Sequence, residues 1–215
     1  MNTTIERIVI ESSNMKSELC TIGQAVGTDK SPYNTCAHRH PYTAAYTLLF
    51  SPLKNRPIQF AEIGIAAGRS AVLWEIYFAN PETRIHMFDR DENFIANADS
   101  ITGKRVTCGK MDVSVDGDVF RALSDKCDQY DVIIDDSSHE HGHQIRIIKE
   151  GLPLLKQGGL LIVEDIFRAT PEEEYTRELA DILPQCSAAY FIICEHKDRW
   201  SPGWDNDKLL VLVKA

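Results

Sequence analysis

The sequence predicts an α/β protein with a doubly wound, mostly parallel sheet. From residue 57 onward, strand patterns alternate with helix patterns, which is typical of a parallel sheet covered by helices on both faces. Two apolar runs, at residues 133–139 (IIDDSSH) and 161–165 (LIVED), end abruptly in carboxylates. Buried parallel strands deliver such side chains to the carboxyl edge of a sheet, where Rossmann-like folds bind ligands.

Length and charge restrict the class of protein. The chain has 215 residues, which fits one domain over 1–215, with a helical cap or lid over 1–56 and the Rossmann-like core over 57–215. The formal net charge is −9, and no run of Lys or Arg exceeds two residues. We therefore expect no nucleic-acid partner.

The amino terminus and the cysteines indicate a compartment. The first residues lack the basic and apolar regions of a signal peptide, and no apolar stretch is long enough to cross a bilayer. The 6 cysteines form no CxxC pair, which suits a reducing environment. We expect a cytoplasmic protein with no membrane partner.

Before residue 57 the pattern favours helices. Apolar residues recur with near-helical spacing from Ile5 to Val26, and Gly27 is a typical helix stop, so we expect one or two amino-terminal helices. A loop rich in turn formers follows at 27–34, and a further helix is predicted over 42–50. We expect the loop to lie across another feature of the molecule.

The pattern predicts seven strands in the core. The predicted strands are 58–63, 84–88, 105–108, 130–135, 159–164, 188–194 and 208–213. The predicted helices are 70–79, 93–99, 118–126, 143–155 and 171–183. The last two strands, which no helix separates, favour an antiparallel pair, so the last strand is expected to run against the others.

The turn after the first core strand predicts a nucleotide-like ligand. Gly64 and Gly68 permit a tight turn and close approach of the backbone, and Ser70 opens a helix with free N–H donors. The dinucleotide fingerprint GxGxxG is absent, and Glu62 would face a pyrophosphate unfavourably. Both facts argue against an NAD-dependent oxidoreductase and favour a ligand with a cationic amino-acid portion and a ribose.

Acids follow the next strands as well. Asp89 ends its strand where a carboxylate can accept both hydrogen bonds of a ribose diol, and Asp112 follows the third strand. Asp112 is about equally well explained as a solvated strand-end acid. Together with the glycine turn, these acids resemble the pattern of class I S-adenosylmethionine-dependent methyltransferases over roughly residues 59–164. The resemblance implies S-adenosylmethionine as cofactor. The residues expected to bind it are Glu62, Gly64, Gly68, Ser70, Asp89, Asp112 and Asp135.

The acids at residues 135–136 and 164–165 predict a bound cation. Two adjacent strands would aim four carboxylates and the imidazole of His139 at one pocket, and like charges at close range disfavour ionisation. A divalent metal is the simplest explanation. Hard carboxylates favour Mg²⁺, Ca²⁺ or Mn²⁺, and the string His139, His141, His143 lacks a suitably spaced fourth ligand for zinc.

A narrower resemblance rests on motifs outside the glycine turn. These are GTDK at 27–30, then His40, Tyr42 and Tyr46, then DDSSH at 135–139 with His143 and Gln144, and finally Glu164 with Asp165. They resemble the metal-dependent sugar O-methyltransferases of macrocin and mycinamicin biosynthesis. Ser137 is a departure, since that family more often has glycine there.

The narrower resemblance implies roles for several residues. Asp136, Glu164 and Asp165 would ligate Mg²⁺, His139 would be the general base, and Asp136 would share in catalysis. Thr28 and Tyr42 would cover the cofactor or the acceptor, although packing of a short helix explains them equally well. Self-association into a homo-oligomer is expected from the resemblance alone.

The chemistry supports the same reading. An aliphatic hydroxyl holds its proton far above neutral pH, so it is a weak nucleophile. A metal that lowers the hydroxyl pKa and an imidazole that accepts the proton would together activate it. We expect an O-methyltransferase acting on a small molecule, with a natural-product sugar as acceptor. A catechol-like phenol is the alternative acceptor, and a non-catalytic binding module is a further alternative class. Trp200 and Trp204 could stack on a sugar or line a subunit contact.

Overall fold

A single mixed sheet with helices on both faces organises the chain. The computed structural model describes residues 4–35 and 38–215, and within these ranges the sheet has eight strands. The strands are β1 (Glu6–Glu11), β2 (Gln59–Ile63), β3 (Arg84–Asp89), β4 (Val106–Lys110), β5 (Tyr130–Asp135), β6 (Leu155–Val163), β7 (Cys186–Glu195) and β8 (Lys208–Lys214). The helices are α1 (Glu18–Val26), α2 (Tyr42–Phe50), α3 (Arg69–Tyr77), α4 (Glu92–Ile101), α5 (Asp118–Ser124), α6 (His141–Gly151) and α7 (Glu172–Glu178).

The strand order confirms the predicted fold class. The order is β1-β7-β8-β6-β5-β2-β3-β4, and every described pair is parallel except those that β8 makes with β6 and β7. From β2 the chain winds outward through β3 and β4, and from β5 it winds the other way. The switch point therefore lies between β2 and β5, where such sheets bind ligands at their carboxyl ends.

The helix predicted from residue 5 is wrong over its first part. Residues 6–11 form β1, which pairs in parallel with β7 from Glu6 opposite Tyr190 to Glu11 opposite Glu195. The run Ile8-Val9-Ile10 is β-branched, and such side chains are stiff at χ1 and favour strands. Helical structure begins only at Glu18. The sheet consequently has eight strands rather than the predicted seven, and the cap segment is not wholly helical.

The predicted helix at 143–155 is also too long. The α-helix α6 ends at Gly151, and a short 3-10 turn over Leu152–Leu154 contains Pro153. Proline cannot donate to a continuing helix, so the chain turns there and enters β6.

Both faces of the central strands are buried. Ile133 of β5 belongs to one apolar layer, while Val132 and Ile134 belong to the layer on the opposite face. This explains why the central strands read as uninterrupted apolar runs. No helix in the described ranges has the length and apolarity that crossing a bilayer requires.

The ends of β2 and β5 approach each other so closely that only glycine fits between them. Gly64 has φ +105°, and a Cβ placed on it would lie 1.9 Å from the Asp136 carbonyl oxygen. The Asp136 amide donates to the Ile63 carbonyl at 2.8 Å. This contact fixes the loop after β5 against the glycine turn.

Replacing Gly64 by alanine should therefore damage the fold itself. The Gly64→Ala change combines a backbone clash with a φ that L-residues avoid, and we expect a loss of about 3 kcal/mol or more in the free energy of unfolding. Urea denaturation measures it. Gly142→Ala is the matched control, because Gly142 is exposed on α6 with nothing within 4 Å of its added Cβ. Equal stability of the two variants would contradict the argument.

Candidate active site

Two cavities meet at the switch point of the sheet. Each has a volume of about 400 Å³, and they share Gly64, Ala66, Asp136 and Ser137. The first cavity lies under the segment before α2, which contributes Thr28, Asp29, Asn34, His38 and His40, and it is further lined by Ser70, His139, Asp165, Trp204 and Asn206. The second cavity is lined by Asp89, Arg90, Phe94, Met111, Asp112, Ser138 and His143 among others. The loop at 27–34 therefore contributes to a cavity wall, in keeping with its prediction.

The acids expected to bind a ribose lie in the second cavity. Asp89 Oδ2 accepts from the Ile65 amide at 2.9 Å, which ties the end of β3 to the glycine turn. Asp112 Oδ1 accepts from the Ser114 hydroxyl at 2.6 Å and from the Ser114 amide at 3.0 Å. These bonds lower the pKa of Asp112, so this carboxylate is held ionised at the cavity wall.

Unusual backbone conformations are concentrated in the first cavity. Among the described non-glycine residues, only Ala66, His139 and Asp165 have positive φ, at 45°, 58° and 57°. All three line the first cavity. Such conformations cost energy and persist where the surrounding structure over-determines them, which is typical of functional sites.

A buried lysine lies at the centre of the acidic cluster. The Lys30 ammonium is 2.5 Å from Asp136 Oδ2, 2.7 Å from Glu164 Oε2 and 3.4 Å from Glu62 Oε1, and the residue is only 1% exposed. The sequence motif contained Lys30, but no role was assigned to it. The excess of carboxylates in the sequence also predicts a cationic side chain among them, but we interpreted that excess only as evidence for a bound metal.

Charge balance in this cluster sets the protonation of its members. Burial alone would lower the pKa of Lys30, but Asp136, Glu164 and Glu62 outweigh it and raise that pKa well above its ordinary value. Burial raises the pKa of Glu62 and, more strongly, of Glu164, while Lys30 opposes both changes. One ammonium therefore offsets only part of the negative charge.

Three potential metal ligands lie together on the wall of the first cavity. Asp136, His139 and Asp165 offer ligand atoms that all lie within 4.8 Å of one another. His139 Nε2 is 3.6 Å from Asp165 Oδ2. Glu164, the third predicted ligand, is not in this group, and its carboxylate accepts hydrogen bonds from Lys30 and Tyr46.

Two tyrosines and His40 contact the acids of the site. Tyr42 is fully buried and donates to Asp165 Oδ1 at 2.6 Å, so in this structure it orients an acid and does not line either cavity. His40 Nδ1 is 2.9 Å from Asp207 Oδ1 and 3.7 Å from Asp165 Oδ1. Burial lowers the pKa of His40, but Asp207 and Asp165 outweigh it and raise that pKa.

Asp135 and Ser137 form a separate local unit. Asp135 is buried, and its Oδ1 accepts from the Ser137 hydroxyl at 2.6 Å and from the Ser137 amide at 3.1 Å. Burial raises the pKa of Asp135 to about 6, although these hydrogen bonds oppose it. Serine at 137 thus supplies a hydrogen bond that glycine would not.

The predicted cofactor-binding residues divide into two groups. Those that line a cavity are Thr28, Gly64, Ser70, Asp89 and Asp112. Those that lie behind the cavity walls are Glu62, Gly68, Tyr42 and Asp135. Glu62 is fully buried and hydrogen-bonded to the Trp74 indole, which places it under the glycine turn.

Comparison with known proteins indicates a methyltransferase domain. Residues 61–166 match the family described as Methyltransferase domain. The chain is 34% identical over 134 residues to 8-demethyl-8-alpha-L-rhamnosyl tetracenomycin-C 2'-O-methyltransferase of Streptomyces olivaceus, covering 59% of this chain and 33% of that protein. It is 24% identical over 137 residues to mycinamicin VI 2''-O-methyltransferase of Micromonospora griseorubida, covering 60% and 32%. The chain thus spans about a third of the length of these curated relatives.

Solved structures show the same fold. The MycE methyltransferase from the mycinamycin biosynthetic pathway, in complex with Mg and SAH, has a TM-score of 0.70 and 18% identity, covering 94% of this chain and 55% of that chain. TrmN from Thermus thermophilus has a TM-score of 0.54 and 15% identity, covering 81% and 49%.

Residues 61–166 match a methyltransferase domain, and the sequence and fold comparisons both support the predicted resemblance to class I S-adenosylmethionine-dependent methyltransferases. Within that class its sequence is similar to O-methyltransferases that act on the sugars of natural products, the type to which its narrower motifs point.

Removing the central ammonium should destabilise the protein strongly. Lys30→Met leaves buried carboxylates without a partner, and we expect a loss of about 3–5 kcal/mol at neutral pH. A carboxyl whose pKa is raised by folding binds protons more readily in the folded state, so acid favours that state. The difference in the free energy of unfolding between Lys30→Met and the wild type should therefore become smaller as pH falls from about 7 to about 5. Denaturant melts across pH measure this.

The control for this variant is Lys110→Met. Lys110 pairs with Glu92 at 2.7 Å, but both side chains are exposed. Exposed ion pairs contribute little to the free energy of unfolding, so Lys110→Met should be as stable as the wild type at every pH. A Lys30→Met deficit that did not depend on pH would show that packing, not charge, is what Lys30 supplies.

Proposed function

We propose that this protein transfers a methyl group from S-adenosylmethionine to a hydroxyl on the sugar of a small natural product, with a divalent cation, Mg²⁺, at the site. The observation that carries the proposal is the gathering of Asp136, His139 and Asp165 within 4.8 Å where the two cavities meet. The named relatives that act on rhamnosyl and mycinamicin substrates support the choice of a sugar over a catechol.

An elongated cofactor suits the joined cavities. We assign the adenosine end to the second cavity, where Asp89 and Asp112 present carboxylates to the ribose side. The amino-acid end would then pass the Cβ-free Gly64 toward Thr28 in the first cavity. The sulfonium supplies an electrophilic methyl group, and the surrounding acids favour this cationic ligand over an anionic dinucleotide.

The donor set fits a hard divalent ion. Asp136 and Asp165 offer carboxylate oxygens, the ligands that Mg²⁺ prefers, and Lys30 contacts three acids with one positive charge. We assign these two acids as ligands and keep Glu164 as a further candidate, held through Lys30. A divalent ion bound there would lower the pKa of an acceptor hydroxyl and help orient it.

His139 is placed to receive the hydroxyl proton. Its imidazole lines the first cavity, and the Asp165 carboxylate at 3.6 Å stabilises the positive charge that proton transfer creates. Tyr42 and His40 both contact Asp165, which orients its carboxylate beside His139. Asp136 is similarly fixed by Lys30.

Loss of the imidazole should slow methyl transfer without disturbing cofactor binding. We expect His139→Gln to lower kcat/KM by about 10²- to 10⁴-fold, the usual contribution of a general base. Affinity for S-adenosylhomocysteine, measured by calorimetry, should stay the same. His141→Gln is the control, because His141 Nε2 contacts Glu178 at 3.2 Å and lines neither cavity. A His139→Gln rate close to wild type would remove His139 from the mechanism.

Metal dependence has its own test. Exhaustive EDTA treatment should abolish methyl transfer, and excess Mg²⁺ should restore it, while S-adenosylhomocysteine still binds. Mg²⁺ should also raise the thermal midpoint of the wild type, since a ligand of the folded state stabilises it, but not that of Asp136→Asn or Asp165→Asn. Full activity after EDTA treatment would exclude the metal and leave the cofactor assignment standing.

A further inference from the structure

Two exposed aromatic rings lie side by side at the first cavity. Trp204 is 47% exposed and Phe167 is 39% exposed. Their ring centroids are 5.9 Å apart with planes at 49°, and Trp204 lines the cavity. We call this pair the aromatic wall. Large apolar rings exposed together beside a cavity indicate contact with a ligand or a partner.

Backbone and ion-pair contacts connect the two segments that carry the aromatic wall. The residues that follow the two rings are joined directly, since the Arg168 amide donates to the Asp205 carbonyl at 2.8 Å. The Arg168 and Arg199 guanidinium groups both contact Asp205 Oδ1, at 3.2 Å and 3.0 Å. A surface fixed before binding loses less entropy when a ligand arrives.

A buried hydrogen-bond acceptor lies next to the aromatic wall. Asn206 follows Asp205, lines the same cavity and is 1% exposed. Its side-chain Oδ1 is buried and has no hydrogen-bond partner in the described part of the chain. Buried polar atoms are normally satisfied, so an unpaired acceptor beside a cavity indicates that a ligand supplies the donor.

The aromatic wall also adjoins the proposed base. The Trp204 and His139 rings meet edge to face, with centroids 6.2 Å apart and planes at 78°. A ring resting on Trp204 would therefore have its substituents close to the imidazole that accepts the proton.

We propose that Trp204, Phe167 and Asn206 form the acceptor subsite, and that it binds a pyranose ring. The apolar C–H face of the sugar rests on Trp204, one ring hydroxyl donates to Asn206 Oδ1, and a neighbouring hydroxyl faces His139. This inference rests on the proposed function and names the residues that select its acceptor.

The composition of the cavity favours a sugar over a planar phenol. A pyranose combines an apolar face with a rim of hydroxyls, so it needs one aromatic surface and several polar partners. The segment before α2 supplies polar side chains to this cavity: Thr28, Asp29, Asn34, His38 and His40. A catechol, which is apolar on both faces, would gain more from two facing apolar walls.

Kinetics with a simple glycoside tests the subsite. With methyl α-L-rhamnopyranoside as acceptor, Trp204→Ala should raise KM at least about tenfold, while affinity for S-adenosylhomocysteine is unchanged. Trp204→Phe keeps an aromatic surface, so its KM should lie between the values of the wild type and of Trp204→Ala. The matched control is Trp200→Ala. Trp200 has the same 47% exposure on the same loop but lines neither cavity, and KM should stay at the wild-type value.

A binding measurement separates the subsite from the catalytic proposal. Calorimetric titration of the wild type and of Trp200→Ala with methyl α-L-rhamnopyranoside should show saturable binding, and Trp204→Ala should show none in the same concentration range. If wild type and Trp204→Ala methylate the glycoside with the same KM, the subsite is wrong and the proposed function stands. If the wild type methylates neither the glycoside nor catechol but the titration follows the prediction, the function is wrong and the subsite stands.

Discussion

The contact of the Lys30 ammonium with Asp136, Glu164 and Glu62 is the interaction on which the site depends. Each of these acids comes from a different strand or strand end, and Lys30 comes from the segment that forms a wall of the first cavity. Buried carboxylates at this density would not remain ionised without a partner. The lysine therefore joins the sheet to the segment before α2 and offsets part of the negative charge of the three acids.

Much of the fold could be predicted from local patterns. The central strands are buried on both faces, so their apolar runs stand out, and their terminal acids mark the carboxyl edge. Gly64 could be recognised as a close approach, although its contact with Asp136 could not. β1 was missed because an exposed edge strand buries little apolar surface, and its spacing also fits a helix. The role of Lys30 could not be predicted, since a lysine in a turn-rich loop is normally solvated and its partners lie 106 and 134 residues away.

Asp165 shows how one carboxylate can serve several groups. Its two oxygens face Tyr42, His40 and His139, and its backbone has a left-handed φ of 57°. Sequence reasoning found this acid from its position after β6 but assigned it to a metal only. In the structure the same acid also contacts the His139 imidazole at 3.6 Å, so the proposed metal ligand and the proposed base lie side by side. Glu164, its neighbour in sequence, faces Lys30 and Tyr46 instead, because successive side chains leave a strand in different directions.

The distance in sequence between Lys30 and Glu164 has a consequence for biosynthesis. The lysine leaves the ribosome first, and more than half of the chain is synthesised between it and Glu164, which follows 134 residues later. Until then the nascent protein carries an unmatched ammonium in its early segment and, later, unmatched acids on strand ends. The complete cluster can therefore form only after β6 has been synthesised, and a chain cut short before β6 would lack Glu164.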